Sequence, residues 1–270
     1  MRKRLLAAWL FALSVHGFAQ NHESIQDHES APSTFQQSAF TWSVEKDAPL
    51  GFLSLAVMLS PLFVHNEPKY LPGKQDRNNV PFFDRPLMAP YNEPLDIVSD
   101  YGVYGILFLP VLSVWPNIGN TNTLLTYAVM YTEAFLLTAG TKNLLKNTVI
   151  RYRPYVYADG IPSGKERDYD NSFPSGSTAY AFLGAGFLSA TFSREFPESL
   201  WKIPFIAGSY ALAAGIASMR IASGSHFLSD VLTGAAIGSL YGWLIPALHR
   251  RPSRATIHVS SNALIVSLKL

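Results

Sequence analysis

The chain has 270 residues, of which 48% are hydrophobic and only 15% charged, against about 25% charged in an ordinary soluble domain. A net charge of +2 is too small to call for a nucleic-acid partner. With no cysteine, disulfides, thiolate metal sites and a cysteine nucleophile are all excluded.

The N-terminus reads as an export signal over residues 1–19. It has a basic "MRKR", an apolar "LLAAWLFALSV" and a small-residue cleavage site at Gly17-Phe18-Ala19. The apolar part runs only from Leu5 to Val15, short of the roughly 20 residues that cross a bilayer. Residues 20–48 form a polar tail rich in Ser, Gln and Glu, expected to lack fixed structure. His22 and His28 lie there among acids, but a mobile tail does not hold metal-ligand geometry.

Charge-poor runs then follow one another over 49–248, and they predict an all-α domain of about six helices. The helices fall at roughly 49–65, 95–115, 121–147, 174–193, 203–222 and 226–248. Their Gly, Ala and Ser content suits helices packed closely in a membrane bundle, while a buried soluble bundle stays open on hydropathy alone. The basic tail over 249–270, with Arg250, Arg251 and Arg254, is expected in the cytoplasm. That orientation puts the end of the third helix and the starts of the fourth and sixth on the periplasmic side of a bacterial inner membrane. A cleaved signal would then conflict with six full spans, so either 49–64 does not span or the signal is retained. The last residues, "ATIHVSSNALIVSLKL", read as two short strands around Ser260–Asn262.

The ends of the helices on that one side carry convergent polar groups. Lys146 and Arg153 are seven residues apart, two turns of one helical face, and Pro154 is expected to stop that helix. The fourth helix starts at "FPSGS", whose amides and dipole suit an oxyanion. The fifth ends at Arg220, and "IASGS" leads to His226, with Asp230 four residues on. On one helical face, that aspartate would hold one ring nitrogen and aim the other outward as a nucleophile. Arg151 reads as an interfacial charge and Glu133 as a packing partner.

These residues resemble the three signature blocks of the type-2 phosphatidic acid phosphatase and vanadium haloperoxidase superfamily: Lys146–Arg153–Pro154, Pro174–Ser175–Gly176 and Arg220–His226–Asp230. The resemblance covers about Leu95 to Leu248 and implies a helical bundle, six-spanning in the membrane branch. It implies that Lys146, Arg153, Ser175, the Gly176 amide and Arg220 bind a phosphoryl group, that His226 forms a phosphohistidine, and that Asp230 orients it. No metal and no cofactor is implied; the partner is a phosphorylated membrane lipid, and the oligomeric state is not readable.

The chain departs from that pattern at two places. Ser177 stands where relatives carry the histidine that protonates the leaving oxygen, and Met219 stands where they usually have serine. Losing a placed general acid costs about 10² to 10⁴ in rate. Three explanations follow: a lipid diphosphate that leaves unaided, a proton from His65, Tyr155 or Tyr157, or a weak or inactive relative that binds lipid phosphate. A soluble periplasmic acid phosphatase and a haloperoxidase are the other functional classes that share these blocks.

Overall fold

The computed structural model describes residues 38–64 and 75–251, and the backbone of 254–260 and 263–269. The proposed signal, most of the polar tail with His22 and His28, and His65 lie outside the described residues. Among the described residues there are six substantial helices. These are α1 (Val44–Leu59, prolonged by a 3₁₀ turn to Phe63), α2 (Glu93–Phe108), α4 (Thr121–Thr148), α6 (Gly176–Glu195), α7 (Lys202–Ala222) and α8 (Leu228–Leu248). Two short helices, α3 (Val111–Val114) and α5 (Pro154–Ala158), lie between them. The chain closes in an antiparallel hairpin, β1 (Arg254–Ser260) with β2 (Ala263–Lys269), in which Ser260 pairs with Ala263.

Local chemistry sets the helix starts. Asn92 caps α2 by accepting from the Leu95 amide, and Asn120 caps α4 by accepting from Thr123, each at 3.1 Å. The first helix begins at Val44 rather than 49, and the segment before it is part of the fold. The hydroxyl of Ser38 and the amide of Ala39 donate to Glu195 at 2.5 and 3.1 Å, and Phe40 is buried against Tyr127. Polar composition concealed this, because the partner of those polar groups is a carboxylate far along the chain.

Helix α6 is the centre of the bundle, packed by α2, α4, α7 and α8. Its Leu183 and Phe187 join Tyr127, Met130 and Ile245 in one core, and its Ala181 and Ala185 join Val103, Ile106 and Ala213 in another. Surrounded on all sides, α6 can carry Ser and Thr that would be costly facing lipid: Ser189 and Thr191 return their hydroxyls to backbone carbonyls one turn back. Helix α8 meets it through Gly234, Gly238 and Gly242. A methyl group at Gly238 would stand 2.0 Å from the Ala179 carbonyl oxygen, so only glycine permits that approach.

Four described segments are long and apolar enough to cross a membrane: Val44–Phe63, Glu93–Asn117, Lys202–Ala222 and Leu228–Leu248. Their outward faces leave Phe52, Tyr101, Phe108, Ile203, Leu232 and Leu240 exposed, as a lipid-facing surface requires and a soluble bundle does not. The 28 residues of α4 extend about 42 Å at 1.5 Å per residue, also enough to span. The fold is an all-α helical bundle with a terminal hairpin, and its helices carry the chain through a membrane.

Candidate active site

The polar residues singled out in the sequence gather at one end of the bundle, where α4 and α7 end and α6 and α8 begin. Two local expectations fail. Helix α4 stops at Thr148, so Lys146 and Arg153 do not share a helical face. From Val149 the chain is extended, because Arg151 and Arg153 donate their amides to the carbonyls of Asp170 and Tyr169 at 3.0 and 2.8 Å. Pro154 therefore opens α5 instead of closing α4. His226 likewise precedes α8, and Asp230 is in that helix's first turn, accepting from the Phe227 amide at 2.8 Å. The turn between α7 and His226 depends on Gly224, whose φ is +68° and whose absent side chain leaves room for the carbonyls of Ala89 and Pro90.

His226 is fully buried. Its Nδ1 lies 2.7 Å from the Ser172 carbonyl oxygen, which can only accept, so Nδ1 carries the hydrogen and Nε2 carries a lone pair. Arg153 Nη1 donates toward that lone pair at 3.2 Å. Asp230, the expected orienting group, is 3.7 Å from Nδ1 and makes no hydrogen bond to it. Its oxygens are taken by the Ser172 hydroxyl at 2.5 Å, the Phe227 amide and Arg151. Asp230 thus fixes Ser172, and Ser172 fixes the imidazole. Burial, reinforced by the positive field of Arg153, Arg220 and Lys146, holds His226 well below the ordinary imidazole value of 6.5. The ring is neutral, and its lone pair faces cations.

Those cations are held by carboxylates the sequence reading did not single out. Arg153 pairs with Asp168 at 2.6 Å and donates to the Ser225 carbonyl at 2.7 Å. Arg220, also buried, is 2.8 Å from both Asp96 and Asp100. Asp96 is buried and fastened further by Ser225 and Lys165, whereas the Asp100 side chain is 52% exposed. Lys146 Nζ donates to the Asn171 carbonyl at 2.5 Å. One turn earlier, Lys142 lies across the start of α6, with its Cδ 3.1 Å from where a methyl group on Gly176 would be. Spacing alone, Lys142 to Lys146, could have revealed it.

Ser175 caps α6 with its hydroxyl, shared with Thr178 Oγ1 at 2.9 Å, and gives its amide to the Asp230 carbonyl at 3.0 Å. It joins α6 to α8, and the next residues of the turn are Gly176 and Ser177. Ser177, in the unexpected slot, donates to Asp100 Oδ1 at 2.7 Å, the same oxygen that Arg220 engages. Tyr155 is buried with its hydroxyl unpartnered and edges onto Tyr91, and Tyr157 edges onto Phe227. Burial pushes both hydroxyls above the usual tyrosine value, making them poorer acids.

Arg151 is no interfacial charge. It bridges buried Asp84 and buried Asp230, donates to Ser229 at 2.7 Å, and stacks over Phe227. Asp84 in turn accepts from the Ser229 amide and hydroxyl at 2.9 and 2.8 Å. Breaking one partner of such a buried array typically costs about 3–5 kcal/mol, so it is the rigid mount of the helix start that carries Asp230. Beside the site is a cleft of about 660 Å³ between Tyr91, Asp96, Asp100 and Tyr101 on one side and Pro162–Lys165 on the other. Part of the loop after α5 thus borders a cleft, although His226 and Arg153 do not line it.

Comparison with known proteins bears on this arrangement. Residues 127–254 match the family model described as the PAP2 superfamily. The chain is 30% identical over 162 residues to the bacitracin transport permease protein BcrC of Bacillus licheniformis, covering 58% of this chain and 73% of that protein. It is 34% identical over 87 residues to the lipid A 1-phosphatase of Porphyromonas gingivalis, covering 31% of this chain and 18% of that one. The crystal structure of Aquifex aeolicus LpxE matches with a TM-score of 0.39 and 24% identity, over 60% of this chain and 90% of that one. With the signature residues gathered at one end of its bundle, the chain belongs to the PAP2 superfamily.

Proposed function

We propose that this protein hydrolyses a phosphomonoester or diphosphate on a membrane lipid, through a phosphohistidine on His226 and without a metal in the reaction. The observation that carries the reading is the His226 ring: neutral, its Nδ1 hydrogen donated to the Ser172 carbonyl, with its Nε2 lone pair facing Arg153. A phosphoryl group arriving there would meet that lone pair and the cations together. Lys146, Arg153 and Arg220 neutralise its oxygens, with the amides of Gly176 and Ser177 at the α6 start completing the cradle. Ser175 holds that helix start in place. Nε2 attacks phosphorus, the bond to the leaving oxygen breaks, and water then cleaves the P–N bond to release phosphate and restore the imidazole.

The leaving group decides the role of Ser177. Its hydroxyl is directed to Asp100 and is a poor acid, and neither Tyr155 nor Tyr157 supplies a better one. A diphosphate departs as a stabilised phosphate and needs little protonation, so lipid diphosphates fit this site better than monoesters. The relatives include one whose name is lipid A 1-phosphatase, which supports a lipid substrate. The basic residues Arg250 and Arg251 follow the end of α8 opposite His226. By the positive-inside tendency, this supports a site facing the periplasm from the bacterial inner membrane.

The test is phosphate release by detergent-purified protein in EDTA from matched mono- and diphosphate lipids, with His226→Ala and Ser177→His alongside. Diphosphate turnover that disappears in His226→Ala is the expected result. If the unaltered protein releases nothing while Ser177→His does so through His226, the natural chain is a lipid-phosphate binder. Silence in every variant overturns the enzymatic reading.

A further inference from the structure

At the other end of α8 lies a second buried cluster that the proposed reaction does not use. Asp47 comes from the first turn of α1, Glu133 from the middle of α4, and His249 from the C-terminal cap of α8. His249 Nε2 is 2.8 Å from Asp47 Oδ1 and 3.5 Å from Glu133 Oε2, and the three potential ligand atoms all lie within 4.8 Å of one another. Each side chain is more than nine-tenths buried, and each of those three atoms lacks a hydrogen-bond partner.

The tautomer sharpens the problem. His249 Nδ1 lies 2.9 Å from the Ile245 carbonyl oxygen, an acceptor only, so Nδ1 holds a hydrogen. In the neutral ring Nε2 then presents a lone pair, whereas in the imidazolium it would donate to Asp47 Oδ1 at 2.8 Å. With the ring neutral, three lone-pair-bearing atoms converge in a buried space, which is repulsive unless a proton or a metal cation sits among them. Lys46 Nζ is 3.6 Å from Asp47 Oδ1 but is turned to the Thr41 carbonyl at 3.0 Å. It offsets one of the two carboxylates at most.

We infer that Asp47, Glu133 and His249 form a binding site for a divalent transition metal, Zn²⁺ by preference, which fastens the first helix and the end of the last to the middle of α4. Zinc with nitrogen and oxygen ligands at 2.0–2.2 Å and tetrahedral angles requires ligand atoms about 3.3 Å apart. The two measured separations, 2.8 and 3.5 Å, bracket that value. One imidazole with two carboxylates suits zinc or manganese, and the fourth position is open to water. The outer shell is also in place: Nδ1 is fixed by a backbone carbonyl, and Asp47 Oδ2 accepts from the Ser43 amide at 2.6 Å. The segment preceding α1 is tied in at the same point, because Thr41 donates its amide to the His249 carbonyl at 2.9 Å. The 21 residues of α8 put the cluster about 30 Å from the phosphate site, so the metal is structural and does not depend on the phosphatase reading.

The full chain, purified in detergent, would be stripped with chelator, given Zn²⁺ or Co²⁺, desalted and assayed for metal. The expected result is about one metal per chain, a Co²⁺ ligand-field absorption band, and a melting temperature about 5–10 °C higher at a hundredfold excess of Zn²⁺ over Kd. Glu133→Gln and His249→Gln should each abolish the stoichiometric metal and the Zn²⁺-dependent rise, while His226→Ala retains both. The unaltered protein needs no substitution to fold, so failure of its own metal uptake and Co²⁺ band overturns the inference. Metal retained by both Glu133→Gln and His249→Gln overturns it as well.

Discussion

Two buried histidines stand at the two ends of one helix, each donating from Nδ1 to a backbone carbonyl and each turning Nε2 to a charged neighbour. What faces that nitrogen is opposite in sign. His226 looks at Arg153 within a ring of cations, and the carboxylates around it are all engaged by donors. His249 looks at Asp47 and Glu133, whose nearest oxygens have no donor. The same tautomer thus serves an incoming anion at one end and a cation at the other. The surrounding charge, rather than the histidine itself, sets the chemistry.

The largest expected effect separates the two ends. His226→Ala should reduce lipid-phosphate turnover by about 10⁴-fold or more, as removal of a nucleophile does, whereas His249→Gln should leave it within about threefold of the original. Comparable losses in both would dissolve the distinction. Next, Asp84→Asn removes one anchor of Arg151 and should destabilise the protein by about 3 kcal/mol, read as a lower melting temperature in detergent. Turnover should fall with it, because Asp230 shares that guanidinium.

Gly238→Val acts midway along α8, touching neither cluster. Its Cβ would overlap the Ala179 carbonyl, and overpacking of this kind costs about 1–3 kcal/mol. It should also lower turnover about tenfold by parting the α6 start from His226, a loss visible as reduced kcat on a folded sample. The smallest effect concerns pH. Because burial and cations depress His226, the neutral, nucleophilic ring persists to lower pH than a free imidazole allows. The acid limb of kcat/KM should therefore lie below 6.5 and move up in Arg153→Gln, and a limb at 6.5 that Arg153→Gln leaves in place would contradict the assigned field.

Helices and site residues differed in how far the sequence could reveal them. The six long helices were legible to within about seven residues at their ends, because charge-poor runs and caps are local signals. Lys146, Arg153, Arg220, His226 and Asp230 were legible through their spacing, and the structure brings them to one end of the bundle. Their geometry was not. That α4 would break before Arg153, and that Ser172 would hold His226, depends on strand-like pairing of 149–153 with 169–172. The carboxylates Asp84, Asp96, Asp100 and Asp168 were invisible as partners, since they come from three separate segments, Asp96 and Asp100 sharing α2, that only folding brings to those cations. Asp47 and His249 were equally hidden: one lay in what reads as a polar tail, the other in a basic one, and only folding places them beside Glu133.

The most direct measurement is to mix the protein with lipid phosphate labelled on the scissile phosphorus, quench in base within the first turnover, and look for label on the protein. The account predicts an acid-labile, base-stable phosphohistidine that maps to the peptide containing His226 and is absent from His226→Ala. Steady release of labelled phosphate with no protein-bound label at any quench time, and with turnover surviving His226→Ala, would contradict it.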